Sequence, residues 1–138
     1  MVSRDRSRVL IEEALTRRVI GAFYGVYDVL GYGFLEAVYR RALVIELRRR
    51  GMQVQEEYPI QVRYVDQIVG VYRADILVEG LLILEIKATA SVGDADRAQL
   101  FNYLRGTGMT IGLLLHFGPK PRAYRSLAGF TRGDTDNI

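Results

Sequence analysis

Asp75 and the triplet Glu85-Ile86-Lys87 flank a Glu79-Gly80 turn signal, in a stretch whose polarity alternates residue by residue. Side chains alternate along a strand, so Glu85 and Lys87 share one side and Ile86 faces the other. In the preceding strand the alternation puts Tyr72, Ala74, Ile76 and Val78 on one face, with Arg73 and Asp75 on the opposite one. In the following strand Leu82, Leu84, Ile86 and Ala88 form a wholly apolar face. Matching the apolar faces places Asp75 beside Glu85 and Lys87. A two-residue loop at Glu79-Gly80 would pair Asp75 with Leu84 and mix the faces. A connection centred on Gly80, or a bulge, is therefore expected, pairing Asp75 with Glu85. Two carboxylates and one ammonium then meet in mid-sheet. Uncompensated buried carboxylates are costly, and a divalent cation would complete the balance. The competing reading is a buried salt bridge from Lys87 to Glu85 or Asp75.

Two further clusters lie along the chain. In Gly33-x-x-Glu36-x-x-Tyr39, Glu36 shares a helical stripe with Tyr39, Leu43 and Leu47 and is expected to be at least half buried; otherwise it pairs with Arg40 at i+4. In Gln99-x-x-x-Tyr103, an amide and a phenol stand one turn apart on one helix face. There is no cysteine and a single histidine, His116. Thiolate nucleophiles, disulfides and multi-histidine metal centres are thereby excluded, and any metal must be held mainly by carboxylates, which favours Mg²⁺, Mn²⁺ or Ca²⁺.

The elements that must position these residues are set by periodicity. Residues 5–30 read as a helix with Leu15, Val19, Ala22, Phe23, Val26 and Leu30 on its apolar side, and Glu12, Glu13, Arg17 and Arg18 on the other. Gly31-Tyr32-Gly33 breaks it. A second helix runs from about Phe34 to Arg50, with Leu35, Val38, Ala42 and Ile45 as an apolar stripe and Gly51 at its end. Strands are expected at Val54–Val65, where Pro59 indicates an edge or irregular position, and at Ile68–Val78 and Leu81–Ala88. A helix at Asp94–Arg105, capped by Ser91 or Asp94 and stopped by Gly106, leads to a doubly covered strand at Thr110–Phe117. A short strand at Ala123–Leu127 closes the order ααβββαβ(β), an α/β fold on the border of α+β with helices flanking a central mixed sheet.

With 138 residues, 49% of them hydrophobic and 25% charged, the chain has ordinary globular composition. One domain over residues 1–130 is expected, with 131–138 a frayed tail. No apolar run is long enough to cross a bilayer and no signal-peptide pattern opens the chain, so a cytoplasmic protein without membrane partners is expected. Basic residues exceed acids in the first fifty positions and after residue 100, whereas acids exceed bases between. That distribution suits a protein holding a polyanion with its flanks and a cation at its centre. Of the 19 basic residues only Lys87 and Lys120 are lysines. Lysine is retained where a compact, tunable ammonium serves.

In chain order, Glu36, Asp75, Glu85-x-Lys87 and Gln99-x-x-x-Tyr103 resemble the GxxExxY protein family, a small branch of the PD-(D/E)XK nuclease superfamily. The resemblance spans about residues 15–118 and is carried by Gly33–Tyr39 (GFLEAVY), Tyr72–Asp75 (YRAD), Glu85–Lys87 (EIK), Gln99–Tyr103 (QLFNY) and Gly112–Gly118 (GLLLHFG). It implies a restriction-endonuclease-like core whose hairpin bears the site. The upstream Glu and the Gln-x-x-x-Tyr helix are similar to the RecB-like branch, whose members act on DNA ends or single strands. Carried over residue by residue, the resemblance implies that Asp75 and Glu85 bind Mg²⁺ or Mn²⁺. The backbone carbonyl of Ile86 is then a further ligand, and Glu36 contacts the metal directly or through water. Lys87 would position and activate the attacking water and stabilise charge on the phosphate, while Gln99 and Tyr103 orient the substrate backbone or the lysine. The implied reaction is metal-assisted hydrolysis of phosphodiester bonds in DNA.

The chain departs from the family's usual pattern at Val26-Tyr27 (Val-His in many relatives), at Gly31-Tyr32-Gly33 (Gly-Pro-Gly) and at His116-Phe117-Gly118 (Asn-Phe-Gly). His116, at the end of a core strand, reads as a satisfied core or edge histidine rather than a replacement ligand. Two other readings stand beside the nuclease. One is a catalytically silent nuclease-fold protein acting through homo-oligomeric assembly, using its nine tyrosines and two N-terminal helices. The other is a nucleic-acid-binding module using Arg40, Arg41, Arg48, Arg49 and Arg50, for which a solvated helix end is the plainer explanation.

Overall fold

The computed structural model describes residues 6–127. Two helices, α1 (Arg6–Leu30) and α2 (Glu36–Arg49), precede three strands, β1 (Val54–Tyr64), β2 (Gln67–Val78) and β3 (Leu82–Lys87); α3 (Asp94–Thr107), β4 (Ile111–Phe117) and β5 (Pro121–Leu127) complete the chain order. The strands form one sheet in sequence order. All neighbours are antiparallel except β3 and β4, which run parallel because α3 carries the chain back between them. This is the expected α+β arrangement, with the closing strand present and Pro59 on the edge strand β1 as anticipated. The tail expected to fray, residues 131–138, lies outside the described residues. No helix among them is long and apolar enough to cross a membrane.

Alternation along β3 and β4 divides the core into two layers. Leu82, Leu84, Ile86, Leu113, Leu115 and Phe117 pack against Leu15, Val19, Phe23 and Val26 of α1 and Tyr39, Leu43 and Leu47 of α2. Ile83 and Leu114 face the other way, onto Leu100 and Leu104 of α3. β4 is consequently buried along its whole length, as its nearly unbroken apolar run predicted. Gly112 lets α3 pack closely there: a Cβ would come within 3.2 and 3.3 Å of the Leu100 and Leu104 methyls.

Several local expectations are corrected. The buried face of α2 is Tyr39, Leu43, Val44 and Leu47, whereas Leu35 and Ile45 are 79% and 62% exposed. Both stripes have helical spacing, and packing against β3 chose between them. Glu12, assigned to the solvent side of α1, is buried, and its carboxylate accepts the Thr110 hydroxyl at 2.7 Å. The cap of α3 is Gly93: Asp96 accepts its N–H at 3.1 Å, and the helix ends at Gly108, whose φ of 77° takes the left-handed terminal position.

The largest departure lies in the β1–β2 pair. Val54, Ile76 and Val78 belong to the α1/α2 layer, yet Ile60, Tyr72 and Ala74 belong to the α3 layer. Strict alternation would have kept Tyr72, Ala74, Ile76 and Val78 together. The switch falls between Ala74 and Ile76, where Asp75 stands opposite Glu57 in a register running from Glu56↔Ile76 to Tyr58↔Ala74. Glu57 has φ of 48°, a left-handed conformation that breaks the pleat and re-aims the side chains on either side of it.

Candidate active site

The β2–β3 connection is centred on Gly80, as the matching of apolar faces required. Ile76 pairs with Leu84, Leu77 with Ile83 and Val78 with Leu82, which sets Asp75 level with Glu85. Glu79 and Gly80 both adopt positive φ in this turn, and Leu81 N–H closes it on Val78 O at 3.0 Å. The regular ladder stops at Ile76, and in its place the Asp75 carboxylate accepts the Ile86 N–H at 2.7 Å. That bond fixes the Asp75 side chain against the Glu85-Ile86-Lys87 backbone.

Glu85 has a partner that sequence reasoning missed. The Tyr72 hydroxyl donates to its carboxylate, and the Tyr72 ring stacks flat on Tyr103 of α3 with centroids 3.8 Å apart and planes 9° from parallel. The change of face at Glu57 and Asp75 turns Tyr72 toward α3, and a strictly alternating strand conceals this. Tyr103 therefore reaches the carboxylates through Tyr72. Gln99 lies on an exposed groove of α3 lined also by Asp96, Asn102 and Tyr103.

The electrostatics arise from crowding and burial. Burial first, and then the Asp75 charge, push the Glu85 carboxyl up to about 7 against the opposing Tyr72 hydrogen bond and Lys87. Burial also raises Asp75, offset by the Ile86 amide, Arg40 and Lys87. Tyr72 is held above its ordinary range by burial and by the Glu85 charge. The Lys87 ammonium forms no hydrogen bond or ion pair with any carboxylate among the described residues. The expected alternative, a buried salt bridge from Lys87 to Glu85 or Asp75, is therefore not what the chain builds.

Glu36 is exposed at the first residue of α2, not half buried as its stripe suggested. It still belongs to this end of the sheet: its carboxyl is raised by desolvation and by the Asp75 charge, and lowered by Lys87 and Arg40. The turn that sets it there is pinned by buried Tyr39, whose hydroxyl donates to Gly31 O at 2.5 Å and accepts the Phe34 N–H at 3.2 Å. Tyr39 stacks on Phe117 at 4.3 Å, and Gly33 supplies a φ of 119°. The spacing Gly33-x-x-Glu36-x-x-Tyr39 thus has a mechanical basis. The glycine makes the turn, the tyrosine anchors it and the glutamate is carried between them. Arg40, the partner of Glu36 in the competing reading, instead lies 3.8 Å from Glu57, and its charge acts on Asp75.

His116 is a satisfied core histidine, in line with its place in the sequence: its Nε2 donates to Thr89 O at 2.6 Å. Tyr27 donates to Gly118 O at 2.7 Å and Pro119 O at 3.0 Å.

The family model of the PD-(D/E)XK nuclease superfamily matches residues 13–126. This chain belongs to that superfamily. The matched stretch includes the hairpin that brings Asp75 level with Glu85-Ile86-Lys87. A search of curated proteins finds no match. Among solved structures, the chain resembles the crystal structure of SSO0001, with a TM-score of 0.52 at 18% identity over 99% of this chain and 74% of that one; at that identity the likeness concerns the fold.

A divalent metal is general in this superfamily. Hard carboxylate oxygens set level on one hairpin, one raising the pKa of the other, and without an ion-paired counter-charge among the described residues, are the donor chemistry that such a cation takes. Asp75 and Glu85 fit it. No compact group of three or more histidines and carboxylates occurs among the described residues.

Proposed function

We propose that this chain is a Mg²⁺- or Mn²⁺-dependent nuclease that hydrolyses phosphodiester bonds in DNA. The observation that carries the reading is the state of Lys87. Its ammonium, unpaired among the described residues, stands beside two carboxylates that the hairpin has brought together, which is wasteful for stability and apt for phosphate chemistry. Asp75 and Glu85 would hold the cation, with the Ile86 carbonyl as a third donor and Glu36 reaching it through water. When bound, that ion polarises the phosphoryl oxygen and acidifies a coordinated water.

The remaining roles fall to the chain itself. Lys87 orients the attacking water and stabilises charge growing on the phosphate. Tyr72 holds Glu85 in one rotamer, and Tyr103 fixes Tyr72 by stacking. Gln99, on the open side of the same helix, contacts the substrate backbone. The Gly33–Tyr39 turn supports placing the chain in the GxxExxY branch, and the link from Tyr103 to the site supports a RecB-like affinity for ends or single strands.

Incubating the protein with single-stranded DNA, duplex DNA and RNA in Mn²⁺, Mg²⁺ or EDTA tests the reading. Cutting of DNA in metal and none in EDTA is expected. Intact substrates under every condition would remove it.

A second reading, a silent nuclease fold that works by self-association, draws on Val29 and Leu35, which are 84% and 79% exposed around the α1–α2 turn. Light scattering after size exclusion separates them. A discrete oligomer without cleavage favours assembly, and a cutting monomer removes it.

A further inference from the structure

Arg97 in the first turn of α3 and Arg122 near the start of β5 lie over the ring of Tyr124, their guanidinium carbons 4.8 and 5.6 Å from its centroid. Both arginines are exposed and Tyr124 is half-buried. Among the described residues neither arginine makes an ion pair, although Asp94 and Asp96 share the first turn of α3 with Arg97. The sheet edge therefore carries two like charges held against one ring and, among the described residues, ion-paired with no carboxylate. Guanidinium groups in that state present planar, preorganised donors to an anion.

The register ties this edge to the site. Lys87 pairs with His116, and His116 pairs with Arg122, so lysine and arginine occupy one row across β3, β4 and β5. The adjacent row holds Glu85, Leu114 and Tyr124. Leu114 and Tyr124 both pack into the layer beneath α3, which places the two rows on that side of the sheet. Strands are spaced about 4.8 Å apart, so two strands separate Lys87 from Arg122 by about 10 Å. That is the rise of about three nucleotides of one strand, at about 3.4 Å each.

We propose that Arg97 and Arg122, braced by Tyr124, form a subsite for a non-scissile phosphate of a polynucleotide, a few nucleotides from the phosphodiester at Lys87. The inference rests on the nuclease reading for the position of the scissile group, and on its own geometry for the phosphate contact. A phosphate there accepts from two guanidinium forks and relieves their mutual repulsion, and Tyr124 limits the side-chain freedom lost on binding. Contacts of this kind position a strand without reading its sequence.

The test is equilibrium binding of a fluorescent single-stranded oligonucleotide, measured by anisotropy against salt in the presence of Ca²⁺. Compared are the natural protein, Arg97→Gln, Arg122→Gln, the double variant and Arg105→Gln. Arg105 also lies over an aromatic ring, Phe101, at 5.9 Å, but stands alone two turns further along α3. Each subsite substitution is expected to weaken binding about three- to tenfold and to reduce the slope of log affinity against log salt by about one, the double variant by about two. Arg105→Gln is expected to leave the slope unchanged. Thermal melts of every variant check folding. Unchanged slopes in Arg97→Gln and Arg122→Gln, or an equal loss in Arg105→Gln, would overturn the subsite. Because binding is read without cleavage, a protein that binds through these arginines but never cuts would retain the subsite and lose the nuclease reading. A protein that cuts while the variants bind normally would do the reverse.

Discussion

The ring of Tyr103 lies flat on the ring of Tyr72, 3.8 Å away between centroids, and the hydroxyl of Tyr72 is spent on Glu85. Helix α3 thereby holds a carboxylate of the sheet through the ring of Tyr72. Removing the hydroxyl separates this linkage from simple packing. Tyr72→Phe keeps the stack and frees Glu85, so cleavage is expected to fall about tenfold or more with little change in melting temperature. Tyr103→Ala removes the stack and is expected to lower both activity and stability. Equal effects of the two substitutions on the melt would argue that Tyr72 serves packing alone.

The raised carboxyl of Glu85 makes stability depend on pH. Its folded pKa is about 7 against an ordinary value of 4.5. Between those values the folded chain keeps a proton that the unfolded chain has released, so stability falls as pH rises through this window and levels above it. Asp75, also raised, adds with the same sign. Glu85→Gln is expected to stabilise the metal-free protein at about pH 8, by on the order of 1–3 kcal/mol, and to have little effect near pH 4. Thermal melts at both pH values read this directly. A variant destabilised equally at both would mean that burial imposes no charge penalty on Glu85.

Metal should reverse that dependence. If Asp75 and Glu85 hold the ion, Mn²⁺ or Mg²⁺ must displace protons below about pH 7. Added metal is expected to raise the melting temperature more at about pH 8 than at about pH 5.5, and to do so in neither Glu85→Gln nor Asp75→Asn. Stabilisation retained in both variants would locate the ion elsewhere.

Tyr39 anchors the turn that carries Glu36. Tyr39→Phe preserves the stack on Phe117 and loses the bonds to Gly31 and Phe34, two contacts of a buried hydroxyl. A loss of about 1–3 kcal/mol in stability is expected, together with lower activity through a loosened Glu36. Denaturant titration alongside cleavage checks it, and Glu36→Gln calibrates how much activity the turn can account for.

Gly118 is expected to tolerate no side chain. A Cβ there would overlap the ring of His116, whose bond to Thr89 secures the chain just beyond Lys87. Gly118→Ala should lower the melting temperature markedly, while His116→Asn, which relieves the crowding, should rescue it in the double variant.

How much of this was legible in the sequence depends on which force set each feature. The pairing of Asp75 with Glu85 could be read because a one-residue slip would have turned apolar Leu82, Leu84 and Ile86 to the wrong side. The burial of β4 could be read from its nearly unbroken apolar run. Tyr72 could not, because the change of face depends on one backbone angle at Glu57 that no composition signals. The buried side of α2 was ambiguous because Leu35, Val38 and Ile45 form a second apolar stripe that the core leaves in solvent. Arg97, Arg122 and Tyr124 come from α3 and β5, and only the docking of the helix on the sheet unites them.

The central claim is that the hairpin of Asp75, Glu85 and Lys87 cuts phosphodiester bonds. Its most direct test is the cleavage rate of a labelled DNA strand in saturating Mn²⁺ by Lys87→Ala, measured beside the natural protein and Glu85→Ala. Removing the unpaired ammonium is expected to slow cutting by about 100-fold or more while the metal-induced rise in melting temperature persists; removing Glu85 is expected to abolish both. Cleavage by Lys87→Ala at the rate of the natural protein would contradict the account.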